Sequence, residues 1–315
     1  MGMRALVCAG AMASAALVAC KSAPRPFSAP ERIPPSPVRV AFRPPEGTPI
    51  VERLTTVRRE GVEPENEAQA VTATLTSTFE RAGDGWVLTQ RLSDVRAERG
   101  GSVLQSPFLE LMTRFPVRVR LANDGAFVQL ANPEDVQAAI RATFPNPEDA
   151  AMVVRYFTPE AIERQARLEW DGKYGELLGR DVLPGHAWYE WDTVPLSSGT
   201  EFRYVLEHKV KEVRRGERGP ELVLGLSCPA SPEAAANSVA MRRLLDSRDS
   251  PGQEPTVTCS GEQVLGLDPF LPRSLQFELS ASPKDAAGAP RKLAITKSVR
   301  TEASTATSSV TQEAH

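Results

Sequence analysis

The densest group of side chains able to do chemistry lies between Trp170 and Asp192, "WDGKYGELLGRDVLPGHAWYEWD". If Ala187 to Asp192 is a strand, His186, Trp188, Glu190 and Asp192 share one face, and Tyr189 and Trp191 the other. An imidazole beside two carboxylates could hold a metal ion or move a proton. Residues spaced by two along one strand still need further ligands from elsewhere, and the sequence points to none. The reading adopted is therefore structural: aromatic rings packed at the rim of a sheet beside solvated carboxylates. The chain has 3 histidines. His208 falls in register with Leu206 and Val210 and reads as a sheet histidine at the edge of the core, while His315 ends the chain.

No G-x-S-x-G, H-E-x-x-H, S-x-x-K, P-loop or G-x-G-x-x-G occurs, which removes the common hydrolase, zinc-protease and nucleotide-binding signatures. Glu134, Asp135, Glu148 and Asp149 have a structural task as first-turn charges of helices. The sequence thus offers no catalytic residue, no metal ligand and no cofactor motif, and the expectation is a non-enzymatic protein. The alternative is a hydrolase with an unrecognised site around His186.

The N-terminus is more specific. Arg4 supplies a positive start, and Ala5 to Ala19 form an apolar run. A bilayer span needs about 20 apolar residues, so this run suits a signal peptide instead. Its end, Leu17-Val18-Ala19-Cys20, resembles the lipobox of bacterial lipoproteins. The resemblance implies cleavage before Cys20 and acylation of Cys20, so that the protein is held to a membrane by N-terminal lipid. Two or three acyl chains anchor stably where one does so marginally. Lys21 follows the cysteine in place of the aspartate associated with inner-membrane retention, which favours the outer membrane of the cell envelope.

Lys+Arg 37 against Asp+Glu 40 gives a net charge of −3, and −4 once Arg4 leaves with the signal. That balance offers no footprint for nucleic acid. Cys8 also leaves and Cys20 takes lipid. Cys228 and Cys259 remain, and two cysteines in an oxidising envelope compartment read as one disulfide, against the alternative of two free buried thiols.

The elements follow from periodicity. Residues 20–37 form a proline-rich tether, with Val38 to Phe42 as a possible first strand. Residues 302–315 form a Ser/Thr-rich tail without periodicity. Between them, Val71, Ala73, Leu75 and Phe79 alternate with threonines, and "AGDGW" turns the chain into Val87 to Leu92. Val117, Val119 and Leu121 alternate with arginines before Asn123-Asp124-Gly125. Phe202, Tyr204, Leu206 and Val210 line a longer strand, Leu222 to Leu226 follow, and Leu275, Phe277, Leu279, Leu293, Ile295 and Val299 complete the pattern. Clean alternation with hairpin turns argues for antiparallel pairing. Asn132-Pro133, Asn146-Pro147 and Thr158-Pro159, each followed by acids, open three helices within residues 133–171. Val136, Ile140 and Phe144 form one apolar stripe, and Ile162, Ala166 and Trp170 another. Ser231-Pro232-Glu233 opens a fourth.

The expectation is an α+β fold in a single domain over residues 38–301: a large curved antiparallel sheet, half-barrel-like, packed against a few helices. In element order it is similar to the lipoprotein-carrier class, whose half-barrel shelters an acyl chain. No residue is carried over from that class; the amphipathic strands exceed what four short helices can cover, and this points to an apolar ligand on the concave face, with Leu75, Phe79, Phe202, Tyr204, Leu206 and Phe277 lining the site and Trp86 and the Trp188–Trp191 segment near its mouth. A partner protein of the envelope is the other occupant such a scaffold would serve.

Overall fold

The computed structural model describes residues 36–61, 68–105, 107–144, 146–196, 201–229, 257–283 and 291–302. The signal peptide, Cys20, most of the tether and of the tail, and the fourth helix expected after Ser231 lie outside these residues.

The chain is built on one open antiparallel sheet. Its long strands are β2 (Ile50–Gly61), β3 (Ala68–Ala82), β4 (Gly85–Arg99), β9 (Ala187–Pro195), β10 (Glu201–Gly216), β11 (Gly219–Ser227), β12 (Val257–Leu267), β13 (Phe270–Ala281) and β14 (Lys292–Thr301). Short strands β6 (Val117–Leu121) and β7 (Phe127–Leu130) extend one side, and β5 (Ser102–Leu104) pairs only with β4. The spatial order is β7-β6-β4-β3-β2-β14-β13-β12-β11-β10-β9. Two meanders therefore meet at a central seam where β2 pairs with β14. The first strand, β1 (Val38–Arg39), belongs instead to a separate pair with β8 (Asp181–Val182).

Local sequence explains the turns and the curl. In the β3–β4 hairpin Gly83 adopts φ 63°, the left-handed conformation that a tight two-residue hairpin turn needs and glycine tolerates. Register shifts interrupt the ladders at Val210/Glu212, Val264/Leu265, Thr72/Thr74 and Arg120/Leu121. Each extra residue bends its strand and increases the local twist, which curves a sheet this wide.

Among the described residues there are four helices, α1 (Pro107–Arg114), α2 (Pro133–Thr143), α3 (Pro147–Tyr156) and α4 (Pro159–Trp170), the last running into a π-turn at Asp171–Gly175; α1 and α4 lie against β4 and β7, and α2 and α3 pack on the helices. The proline-opened starts of α2, α3 and α4 stand as the sequence indicates. Asn146 accepts from Glu148 N, and Thr158 from Ala161 N. The Asn132 side chain makes no cap bond to α2: it accepts from Arg118 N at 2.9 Å and donates to Pro116 O at 2.8 Å, tying the start of α2 to β6. Val136 and Ile140 of α2 pack with Leu111 and Val153 into a small core of their own.

Cross-strand register puts Leu75, Phe79, Phe202, Tyr204, Leu206 and Phe277 on the same face of the sheet. That face has levels along the strands. At one end Val40 and Phe42 cross the sheet and bury themselves among Ile50, Phe79, Trp86, Leu222, Leu265 and Phe270. At the other, Phe202, Tyr204, Leu206, Phe277, Leu279, Leu293 and Ile295 form a second core. There the expected disulfide is present: Cys228 and Cys259 are bonded with Cα atoms 5.1 Å apart, just past the Ser227–Ser260 pair of β11 and β12.

Candidate functional site

Between these two cores, under α4, lies a cavity of about 860 Å³. Its floor is the middle of the sheet: Leu54, Leu75, Leu92, Leu275 and Val299, with Glu52, Ser77, Gln90 and Gln263 among them. Its roof is the apolar stripe of α4, Ile162, Ala166 and Trp170, continued by Lys173 and Tyr174 of the π-turn. The floor leucines, Val299 and the stripe are all only half-buried, and α4 contains no fully buried residue. An amphipathic stripe of this kind normally packs down at interior density. Here it packs in part, against the first core and, at Ile162, the helical core, and the rest of its surface lines open volume.

The roof is fixed to the edge of the sheet. Arg167 donates to Phe127 O at 3.2 Å and to Val128 O at 2.8 Å, Glu163 accepts from Leu130 N at 3.1 Å, and Trp170 Nε1 donates to Gly125 O at 2.9 Å. These bonds satisfy backbone groups of edge strand β7 and the turn before it, which would otherwise offer a pairing surface. Gly125 is required there. It has φ 88°, and a Cβ would overlap the Phe42 ring at 2.6 Å and Leu178 at 2.7 Å.

One wall is aromatic. Phe42 makes edge contacts with Phe79, Trp86 and Trp170 at centroid distances of 5.8, 6.1 and 6.0 Å. Tyr174 sits between Trp170 at 4.8 Å and Phe270 at 5.4 Å. Phe79, Trp170, Tyr174 and Phe270 reach the cavity from this cluster. The exposed rim carries Phe157, Arg164, Gln165, Glu169 and Lys173.

Two titrating groups are shifted by the site. Burial raises Glu52 above the usual carboxylate range, against the opposing field of Lys173. Burial also pushes the Tyr174 phenol up, and the charge of Glu52 adds to the effect. Gln90 donates to Ser77 at 3.4 Å on the floor. Among the described residues the Glu52 carboxylate has no hydrogen bond and no ion pair.

Of the residues expected to line an apolar site, Leu75 and Phe79 do. Phe202, Tyr204, Leu206 and Phe277 share the face but not the level, and are packed into the second core. Trp86 and Trp188 are buried in the first core, not placed at a mouth. Periodicity alone could not have named Leu54, Leu92, Glu52 or Gln263. The α4 stripe was visible, but its distance from the sheet was not.

The polar segment around His186 assembles differently from its sequence order. Glu190 hydrogen-bonds His208, not His186, with Nε2 and Oε1 2.8 Å apart. Trp188 stacks on His208 at 4.9 Å, and His208 Nδ1 is buried without a hydrogen-bond partner among the described residues. Asp192 accepts from the Tyr204 hydroxyl. Glu190 lies against the π-turn, so closely that a Cβ on Gly172 would collide with its Oε2. The face-sharing of Trp188, Glu190 and Asp192 holds, and it ties β9 to β10 and to the π-turn. No group of three metal-ligating side chains occurs among the described residues.

No protein-family description matches the chain, and no curated protein does. Among solved structures, one titled "Lipid-protein interactions in lipovitellin" is similar at a TM-score of 0.43 and 10% identity. The match covers 82% of this chain and 25% of that one, so the chain spans a quarter of its length. At that level the likeness carries no argument about this chain's ligand.

Proposed function

We propose that this is a non-enzymatic lipoprotein of the cell envelope that holds an apolar ligand in the cavity beneath α4. The observation that carries the reading is the pair of apolar surfaces, Ile162, Ala166 and Trp170 above and Leu54, Leu75, Leu92, Leu275 and Val299 below, that face each other across about 860 Å³ without packing together. Small-molecule sites are concave, largely apolar, about 300–1,000 Å³ in volume, and carry few polar groups. Anchoring at Cys20 and residence at the outer membrane rest on the lipobox alone.

Titration of the full chain with N-phenyl-1-naphthylamine, a neutral fluorophore that brightens in apolar surroundings, tests the reading. Saturable binding is expected, and Ala166→Trp, which fills the space beneath α4, should weaken it at least tenfold. A wild-type titration that never saturates overturns the ligand-binding reading. So does an Ala166→Trp variant that folds and binds as the wild type does.

A further inference from the structure

The apolar-cavity reading does not say which end of a ligand the protein recognises, but the cavity floor does. Glu52 stands on β2 at the centre of the sheet, with Leu75 and Thr301 as its cross-strand neighbours. It is 9% exposed, and that exposure opens on the cavity. Among the described residues nothing hydrogen-bonds to its carboxylate. Thr301 does not, because its hydroxyl donates to Pro272 O at 2.6 Å. A carboxylate largely withdrawn from bulk water and without a protein partner is costly, and the open side from which a compensating group can reach this one is the cavity.

Lys173 is the cation whose field reaches Glu52, yet it forms no ion pair with it and its side chain lies on the exposed rim. The other charges around the cavity are Arg164 and Glu169, also on the rim, where water and salt screen them. Beside Glu52 the wall presents the rings of Trp170, Tyr174 and Phe270. The Tyr174 carbonyl accepts from Leu177 N and Leu178 N, but among the described residues its hydroxyl has no hydrogen-bond partner. An unpaired carboxylate in a cavity also lined by three aromatic rings matches a cation that also carries N–H donors.

We propose that the cavity takes an alkyl amphiphile with an ammonium head, its chain lying between α4 and the sheet and its head held by Glu52 and the rings of Trp170, Tyr174 and Phe270. This rests on the apolar-cavity reading and adds a head-group preference to it. An ammonium supplies the missing counter-charge and donates to the carboxylate, and a hydroxyl head supplies a hydrogen bond only. A carboxylate head meets Glu52 as a like charge.

The test is displacement of bound N-phenyl-1-naphthylamine from the full chain at neutral pH by dodecylamine, dodecanol and dodecanoate, the ionic two below their micelle concentrations and dodecanol below its solubility limit. Dodecylamine should displace at about tenfold lower concentration than dodecanol, as one charge-assisted hydrogen bond implies, and dodecanoate should be weakest. Glu52→Gln should erase the lead of the amine and bring dodecanoate up to dodecanol, each displacement being read against that variant's own fluorophore affinity. Dodecanoate displacing as well as the amine, or an amine lead that survives Glu52→Gln, overturns the head-group assignment while leaving the cavity reading intact. If the fluorophore itself never saturates, both fall together.

Discussion

Glu52 should destabilise the ligand-free protein, and pH should show it. The perturbation is Glu52→Gln, which keeps the shape of the side chain and removes its charge. In the folded state the carboxyl is raised from its ordinary 4.5, by burial first and with Lys173 opposing. A raised folded value means that the native state holds this proton to higher pH than the unfolded chain does. Its contribution to stability is complete below the unfolded value and is lost as pH rises through the folded one. Leaving a buried polar group without a partner costs about 1–3 kcal/mol, and more when the group is charged. Because Lys173 offsets part of this, about 1–2 kcal/mol is expected at pH 8, or about 2–6 °C in Tm for a domain of this size. At pH 4 the variant and wild type should melt together. Paired thermal or urea unfolding at the two pH values checks this, since every other titrating group is common to both proteins. A gap that is the same at pH 4 and pH 8, or a variant less stable at pH 8, would refute the account of Glu52 as an uncompensated buried acid.

The disulfide closes a separation of 31 residues, and replacing Cys228 and Cys259 by serine should lower unfolding stability by about 3–4 kcal/mol in the chain-entropy account; a loss below about 1 kcal/mol in urea would contradict it. Leu222 is fully buried at the plugged end of the sheet, so Leu222→Ala should cost about 2–5 kcal/mol. Leu75→Ala, at a half-buried site already facing open volume, should cost clearly less, and parity between the two would argue that the cavity is not there. Arg167→Ala should unfasten α4 from β7, seen as faster amide exchange at Leu130 and in α4 than in β12. Cys20→Ser should abolish labelling by a fatty-acid probe, and persistent labelling would end the lipoprotein reading.

Much of the fold was legible because its signals are local. Alternation such as Val71, Ala73, Leu75, Phe79 against Thr72, Thr74, Thr76, Thr78 specifies a strand with two unlike faces, and Asn-Pro-Glu specifies a helix start. The helix α1 carries a similar opening, Ser106-Pro107 with Glu110 behind it, but its 8 residues are too few for a stripe to stand out. The site was half legible. Parity correctly grouped Leu75, Phe79, Phe202, Tyr204, Leu206 and Phe277 on one face, because side chains two apart point the same way. It cannot say how far along the strands each one sits, and that distance separates a cavity wall from a packed core. Glu52 was invisible for a related reason: a lone acid in "IVERLTT" reads as an ordinary solvent-facing residue until β14 and β3 are placed on either side of it.

The seam between β2 and β14 bears on how the molecule is made. Every other pairing in the large sheet joins strands next, or next but one, in sequence. Each meander can therefore assemble through short loop closures while synthesis continues, but the joint between them waits for residue 301 to be available. Non-local pairing of this kind is the slow part of a fold. Until it happens, β2 and β13 are both open edges, and the apolar floor between them is split. A ribosome stalled before β14, or a truncation that removes it, leaves two half-sheets with matching sticky borders. The last strand is thus the step that turns two aggregation-prone ribbons into one continuous floor.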